Sequence, residues 1–332
     1  MRKDFTNTPR IFEIKQSIDF ESLCLEIFSF QFSYSPIYRR FCQLIGITRV
    51  SAIRNVSQIP FLPVEFFRTQ AIIAEHHQPA MVFKSSGTTG SLQSSHLVSN
   101  LSIYDESLLK GFELHYGDPA NYCILALLPF YIERKESSLV YMTRKLMQHS
   151  GHPNNGFYLY DYDALARAID GLIYAKQPTI LLGVSFALLD FSHNYPIPLP
   201  ENFIVMETGG MKGRGKEMVR EELHQILCKR FSINSVHSEY GMTEMLSQAY
   251  AKKHGIYHSP PWLRVQIRDV NDPFQLSGYN KTGGINIIDL ANVYSCPFIE
   301  TQDLGRKYEN GTFEVVGRFD RSKTRGCNLM IP

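Results

Sequence analysis

Three short stretches hold the residue types that work on phosphates and carboxylates. The first, FKSSGTTGSLQSS, runs from Phe83 to Ser95 and has no apolar residue between Phe83 and Leu92. Ser85, Ser86, Thr88 and Thr89 supply hydroxyls and Lys84 a cation. Gly87 and Gly90 let the backbone turn tightly and point successive amides at phosphate oxygens. It is not a Walker A loop, because Gly90 is followed by Ser91 and Leu92. Taken alone it reads first as a flexible linker, yet a linker need not sit between an apolar strand-like segment and a coming helix. The second stretch, HSEYGMTEM, runs from His237 to Met245. Tyr240 and Gly241 offer an aromatic face at a tight turn, Thr243 a hydroxyl, and Glu244 a carboxylate able to hold Mg²⁺ through oxygen. The plainer alternative, preferred for this segment alone, is a loop leading into a helix at Glu244. The third joins ETQDLG, Glu300 to Gly305, with GRFDRSKTRG, Gly317 to Gly326. Asp303 can accept both hydroxyls of a ribose, and Arg318 can pair with a phosphate or the sugar. The plainer alternative is surface turns with solvated charges.

These segments need a scaffold, and the chain is long enough for one. It has 332 residues, 44% of them apolar and 20% charged, as in an ordinary globular protein with a sizeable core. A net charge of +2 argues against a general role on nucleic acid or on a membrane surface, both of which need a basic excess. The amino terminus, MRKDFTNTPRIFEIKQ, lacks the apolar core of a signal peptide. No apolar run approaches the roughly 18 residues that span a bilayer. Cys24, Cys42, Cys123, Cys228, Cys296 and Cys327 are scattered, without a CxxC pair or zinc spacing. The expectation is a cytoplasmic protein with free thiols.

The first eighty residues read as helical and aromatic. DFESLCLEIFSFQF places Phe20, Leu23, Cys24, Ile27 and Phe28 on one stripe. SPIYRRFCQLIG opens with Ser35 as N-cap and Pro36 at the first helical position, and stops at Gly46. IPFLPVEFF, with two prolines, reads as an extended connector. From Met81 onward, apolar runs (Cys123–Phe130, Thr179–Phe186, Phe203–Gly210) alternate with amphipathic stretches, DYDALARAIDGLIYA and GKEMVREELHQILCKRF. That alternation predicts an α/β layer with at least partly parallel strands. The last sixty residues carry short strands, GINIIDL and TFEVVGRF, between glycine turns, with little helix.

In this order and spacing the three stretches resemble the core motifs of the adenylate-forming superfamily: acyl-CoA synthetases, luciferases and peptide-synthetase adenylation domains. A narrower resemblance covers most of the chain. IPFLPVEFF, FKSSGTTG, METGGMKG and RGCNLM together look like the acyl-protein synthetases, the fatty-acid-activating subunits of bacterial bioluminescence reductase complexes. The resemblance implies an α/β fold: the large N-terminal domain of that superfamily, mixed sheets layered with helices, a small β-rich subdomain near the C-terminus, and the small C-terminal domain essentially absent. The implied boundaries are a helical region over 1–80, an α/β nucleotide-binding core over 81–260, a β-rich subdomain over 261–316 and a hinge-like tail over 317–332. It further implies ATP and Mg²⁺ as cofactors. Residues 85–90 would hold the phosphates, Gly209 and Gly210 would line the adenine pocket with Tyr240 against the base, Glu244 would hold Mg²⁺, and Asp303 the ribose.

The implied reaction forms an acyl-adenylate from a carboxylic, fatty acid and moves the acyl group to a cysteine near the C-terminus, which here would be Cys327. Arg321, Lys323 and Arg325 stand close by and would lower its pKa. The other reading of Cys327 is an inert residue opening an apolar terminal strand. An acyl-accepting or reductase partner protein is implied as well. Several departures stand out. Ser91, Leu92 and Gln93 occupy the place of a common lysine, Gln302 stands where glycine is usual, and the segment between Asp320 and Lys323 is one residue short. The lysine usually brought by the small C-terminal domain is expected to have no counterpart here. Two other functions remain open at this level: a ligase that passes the acyl group to coenzyme A or a small acceptor, and a degenerate nucleotide-binding or scaffold protein.

Overall fold

The computed structural model describes residues 4–86, 92–129, 136–209 and 218–319. Helix α1 (Ser17–Tyr34) buries the expected stripe of Phe20, Leu23, Cys24, Ile27 and Phe28. Helix α2 (Pro36–Leu44) begins at the proline, and the chain leaves it through Gly46 at φ 90°. The Ser35 hydroxyl sits at the N-cap position without a capping bond.

The proline-rich connector is only partly extended. Leu62–Pro63 forms a short strand, β1, but Phe66–Thr69 closes into a helical turn, α3. The turn forms because Phe67 is buried there, packing edge-on to the His96 ring at 5.9 Å. Strands β2 (Met81–Lys84) and β3 (Ser95–Val98) pair antiparallel as a hairpin, so the Ser/Thr/Gly stretch is the hairpin's connection. Helix α4 (Leu101–Tyr116) follows, capped by Asn100.

The central sheet runs β5-β4-β6-β7-β8-β9, parallel except at its last strand. Its strands are β4 (Cys123–Leu127), β5 (Gly156–Phe157), β6 (Thr179–Val184), β7 (Phe203–Thr208), β8 (His237–Tyr240) and β9 (Ala249–Ala251). Helices α5 (Ser138–Ser150), α6 (Tyr162–Tyr174), α7 (Ser185–Asn194) and α8 (Arg220–Phe231) make the connections. Every residue of β4 and β6 is buried, as expected of parallel strands covered on both faces. Alternate residues serve opposite faces. Ile124, Ile180, Leu182 and Met206 join a core shared with α1 and α4, while Leu125, Leu181 and Val205 join one built with α6, α7 and α8. The TILLGVSF strand ends two residues earlier than its apolar pattern, because Ser185 already starts α7.

A second sheet closes the molecule, in the order β10-β14-β13-β12-β11, with β1 paired parallel to β13. Its strands are β10 (Ile256–Tyr257), β11 (Leu263–Arg268), β12 (Thr282–Asp289), β13 (Phe298–Lys307) and β14 (Phe313–Arg318). The register of β12 on β13 shifts between Gly284 and Asn286, and the buried Arg268 guanidinium occupies the break. Arg268 donates to Ile285 O (2.9 Å), Asn286 Oδ1 (2.9 Å) and Thr301 O (2.7 Å). A Cβ at Gly284 would stand 2.4 Å from its Cζ, so only glycine leaves room for that side chain. Among the described residues no helix is long and apolar enough to cross a membrane.

Candidate functional site

A cleft of about 100 Å³ opens where β7 and β8 end. That end of a parallel sheet is where open α/β folds bind ligands. Ser86 reaches the cleft from the hairpin, Gly209 from the end of β7, and Thr243 from the turn after β8. Residues from two of the three chemical stretches and from the glycine segment thus line one opening. Lys84 lines it too, with its ammonium 2.9 Å from Glu136 Oε1. Tyr104 of α4 and Ser137, Ser138, Leu139 and Met142 at the start of α5 complete most of the wall.

Gly209 stands at φ 66°, a conformation glycine adopts without strain, and its carbonyl accepts from the Ser185 hydroxyl at 2.7 Å. Ser85 turns the other way: its Oγ accepts from Ser94 N at 2.9 Å and closes the stem of the hairpin. Gly87, Thr88, Thr89, Gly90, Gly210 and Cys327 lie outside the described residues.

No helix begins at Glu244. The chain after β8 makes a turn in which Met245 N donates to Met242 O at 3.0 Å. The next two amides, Leu246 N and Ser247 N, donate to Asp289 Oδ2 at 2.7 and 3.0 Å, and the Ser247 hydroxyl donates to Oδ1. Those amides are held by a distant carboxylate, and the chain passes directly into β9 at Ala249. Glu244 is 5% exposed, and burial raises its pKa against a Ser94 hydrogen bond and the fields of Arg318 and Arg68.

Two further side chains, on β3 and on the loop after β12, hold the same turn. His96 is fully buried, with Nδ1 2.8 Å from Thr243 O and Nε2 2.9 Å from Asn292 Oδ1. Asn292 Nδ2 donates to Glu244 O at 2.8 Å and to Cys296 O at 2.9 Å. Both ring contacts are to oxygens, while burial pushes the His96 pKa down to about 4, so at neutral pH the single ring N–H donates to one of the two oxygens.

A second group adjoins the cleft through the backbone of Tyr240 and Gly241. Tyr240 donates its hydroxyl to Asp303 Oδ2 at 2.9 Å, and Arg318 Nε lies 3.1 Å from Asp303 Oδ1. These contacts follow from the β13–β14 ladder, which sets Asp303 opposite Arg318. The ETQDLG stretch is therefore strand, not surface turn, and the ladder carries Gly317 and Arg318 with it. Burial raises the Asp303 pKa, with Arg318 and Tyr240 opposing. The Tyr240 ring is itself buried against Tyr257 and Phe313.

The residue pattern missed four side chains here. His96, Asn292 and Asp289 position the turn, and Glu239 faces the cleft beside Thr208. One signal was available: in SHLV, His96 falls on the buried face with Val98. Among the described residues no group of three or more His, Cys, Asp or Glu could hold a metal alone. Mg²⁺ commonly uses one or two carboxylates together with substrate phosphates and water, so Glu244 beside the hairpin suits it.

Asp289 is also a titration probe. It is fully buried, and burial pushes its carboxyl from 3.8 to about 6 against its hydrogen bonds. A carboxyl raised in the folded state stabilises below its unfolded pKa and loses that contribution as pH rises through the folded value. Stability should fall by about 3 kcal/mol between pH ~4 and ~6 from this group. Denaturant midpoints at both ends of that range check it, with Asp289→Asn expected to flatten the slope relative to the parent.

The chain matches no protein-family model. It is 21% identical to the long-chain-fatty-acid–luciferin-component ligase of Vibrio harveyi, across 98% of this chain and 91% of that ligase. A crystal structure of 2-hydroxyisobutyryl-CoA ligase with 2-HIB-AMP and CoA superposes with TM-score 0.63 at 10% identity, covering 92% of this chain and 70% of that one. ATP-bound MatB from Rhodopseudomonas palustris superposes with TM-score 0.53 at 15% identity, covering 71% of this chain. The chain spans about half (47%) of that structure's length. The fold is that of the adenylate-forming enzymes.

Proposed function

We propose, from a family identity that the end-to-end relationship and the fold both support (acyl-protein synthetase within the adenylate-forming superfamily), that this chain activates a carboxylic acid with ATP. The carboxylate oxygen attacks the α-phosphorus, pyrophosphate leaves, and an acyl-adenylate remains. The acyl group then passes to a thiol, with AMP leaving. The observation that carries this reading is the convergence of Ser86, Gly209 and Thr243 on one cleft at the ends of β7 and β8.

A carboxylate is a poor acyl donor because oxide is a poor leaving group, and joining it to AMP supplies a better one. The two anions must be brought together, so the site needs donors and cations. Ser86 and the hairpin residues through Gly90 would supply hydroxyls and amides to the phosphates, and Thr243 a hydrogen bond to the α-phosphate. Glu244 would hold Mg²⁺, whose charge offsets the repulsion between the anions. Asp303 would take the ribose hydroxyls, with Arg318 beside it. Tyr240, Gly209 and Gly210 would face the base. Asp303→Ala should raise the KM for ATP by about tenfold with a smaller change in kcat, since it removes uniform binding. Steady-state kinetics over a range of ATP concentrations decides between that split and a pure kcat loss.

Cys327 is proposed as the acyl acceptor within the chain, and a fatty acyl chain as the cargo, handed on to a partner such as a reductase. The activation step is tested by carboxylate-dependent ATP–pyrophosphate exchange across a broad acid panel. ATP binding without exchange for any acid would make this a nucleotide-binding protein instead. The transfer step is tested by intact-mass measurement with ATP and acid. An acyl adduct should appear on the parent chain and be absent from Cys327→Ser. An adduct that survives the substitution removes Cys327 from the role.

A further inference from the structure

Arg220, the first residue of α8, ties the central sheet to the second one. Its Nε lies 3.1 Å from Glu207 Oε1 on β7, and its Nη1 donates to Val315 O on β14 at 2.8 Å. Its guanidinium also stands 5.4 Å from the centroid of the Tyr257 ring on β10. A planar guanidinium can hold partners in two fixed directions at once, which a single ammonium on a flexible stem does not.

Each element it grips leads to a residue already proposed to meet the nucleotide. On β7, Glu207 stands two residues before Gly209. Glu207 Oε2 lies 3.3 Å from the Ser185 oxygen, and the Ser185 hydroxyl donates to Gly209 O at 2.7 Å. On β14, Val315 stands three residues before Arg318, the ladder partner of Asp303. Tyr257 stacks on Phe313 at 5.3 Å and lies 5.8 Å from the Tyr240 ring, whose hydroxyl donates to Asp303. One side chain thus reaches the base side and the ribose side of the proposed site. Glu207 is 3% exposed. Burial works against its charge, yet His224 and Arg220 hold its carboxyl below the usual carboxylate range. A buried ion pair is weak evidence for stability, because neutral groups of similar size often serve the fold as well or better. What this pair and its fork supply is a fixed relation between two sheets.

We propose that Arg220 is a positioning residue for the nucleoside: it sets the Gly209 turn on the central sheet against the Asp303–Arg318 pair on the second. This rests on the ATP-binding part of the reading above and deepens it. In this scheme Arg220 touches neither nucleotide nor acid.

The test is equilibrium binding of ATP and AMP to the full chain, with denaturant midpoints measured alongside. Arg220→Met should weaken both nucleotides by about tenfold, because walls out of register cannot meet base and ribose together. It should also lower stability, since Glu207 is left buried without its cation. Combining Arg220→Met with Glu207→Gln removes both charges and should recover most of that stability, while both nucleotides stay about tenfold weaker than on the parent. A merely structural role predicts the opposite, with affinity returning alongside stability. Arg220→Lys keeps the charge without the fork and should also weaken both nucleotides, so the comparison stands even if neither methionine variant folds. Parent-like ATP affinity in the double variant, or in either single Arg220 variant, would overturn the inference. A parent chain that binds ATP but exchanges with no acid would overturn activation, and the binding comparison would still decide the role of Arg220. No ATP binding by the parent would overturn both.

Discussion

Glu244→Gln is expected to lower carboxylate-dependent ATP–pyrophosphate exchange by about 10³-fold while leaving the protein at least as stable as the parent. The two effects have opposite signs for one reason. Glu244 is 5% exposed, and its pKa is raised chiefly by burial, so folding at neutral pH must desolvate a charge that its surroundings only partly repay. Glutamine keeps the shape and an oxygen able to accept from Ser94, and it removes the buried charge. A neutral amide, however, is a poor partner for Mg²⁺ and cannot help bring two anions together. Losing one preorganised electrostatic partner of a transition state typically costs 10²–10³-fold, and losing the carboxylate proposed to hold Mg²⁺ would stand at the upper end. Exchange rates measured against Mg²⁺ concentration, together with thermal midpoints, check both halves. An unchanged exchange rate would remove Glu244 from the metal site. A large fall in stability would mean that its carboxylate serves the fold instead.

Sequence reasoning reached the scaffold wherever burial is continuous. The strands β4, β6 and β7 were legible because a parallel strand covered on both faces reads as a near-continuous apolar run, broken in β7 only by the buried Glu207 and Thr208 at its end, and α1 because its apolar stripe repeats at the helical period. It failed where a distant residue overrides local preference. Nothing in MTEMLSQ shows that Asp289 takes the amides of Leu246 and Ser247, and without that partner the segment reads as helix. Phe66–Thr69 likewise turns because Phe67 finds a pocket beside His96, a contact that a local pattern does not contain. ETQDLG read as possible surface because it is polar, yet Arg268 and the β12–β13 ladder bury Thr301 within a sheet.

The site divides in the same way. Ser86, Gly209 and Thr243 could be named because each stands in a short pattern of glycines and hydroxyls. The groups that hold the patterns together could not, since His96 lies 147 residues from Thr243 and 196 from Asn292. A residue acting through tertiary contacts leaves little local trace beyond a polar side chain on a buried face.

That hidden group supports the last expectation. His96→Ala should cut kcat for exchange by about 10²-fold and destabilise the protein by about 3 kcal/mol, with a much smaller change in the KM for the acid. The ring joins the hairpin that carries the Ser/Thr/Gly stretch to the turn that carries Thr243 and Glu244, and Asn292 fastens the next carbonyl of that turn. Removing the ring takes away its contacts to Thr243 O and Asn292 Oδ1 and opens space beside Phe67. The turn can then drift relative to the hairpin, and misplacement by about 1 Å costs on the order of 10² in rate. His96 touches neither nucleotide nor acid in this scheme; it is a positioning residue. Asn292→Ala should reproduce much of the loss, and the double variant should fall well short of the sum, because both single changes release the same turn. Adding up independently would mean that the two side chains stabilise separate parts of the fold. A variant that loses stability but keeps its full kcat below its melting temperature would show that the turn holds its geometry without the ring.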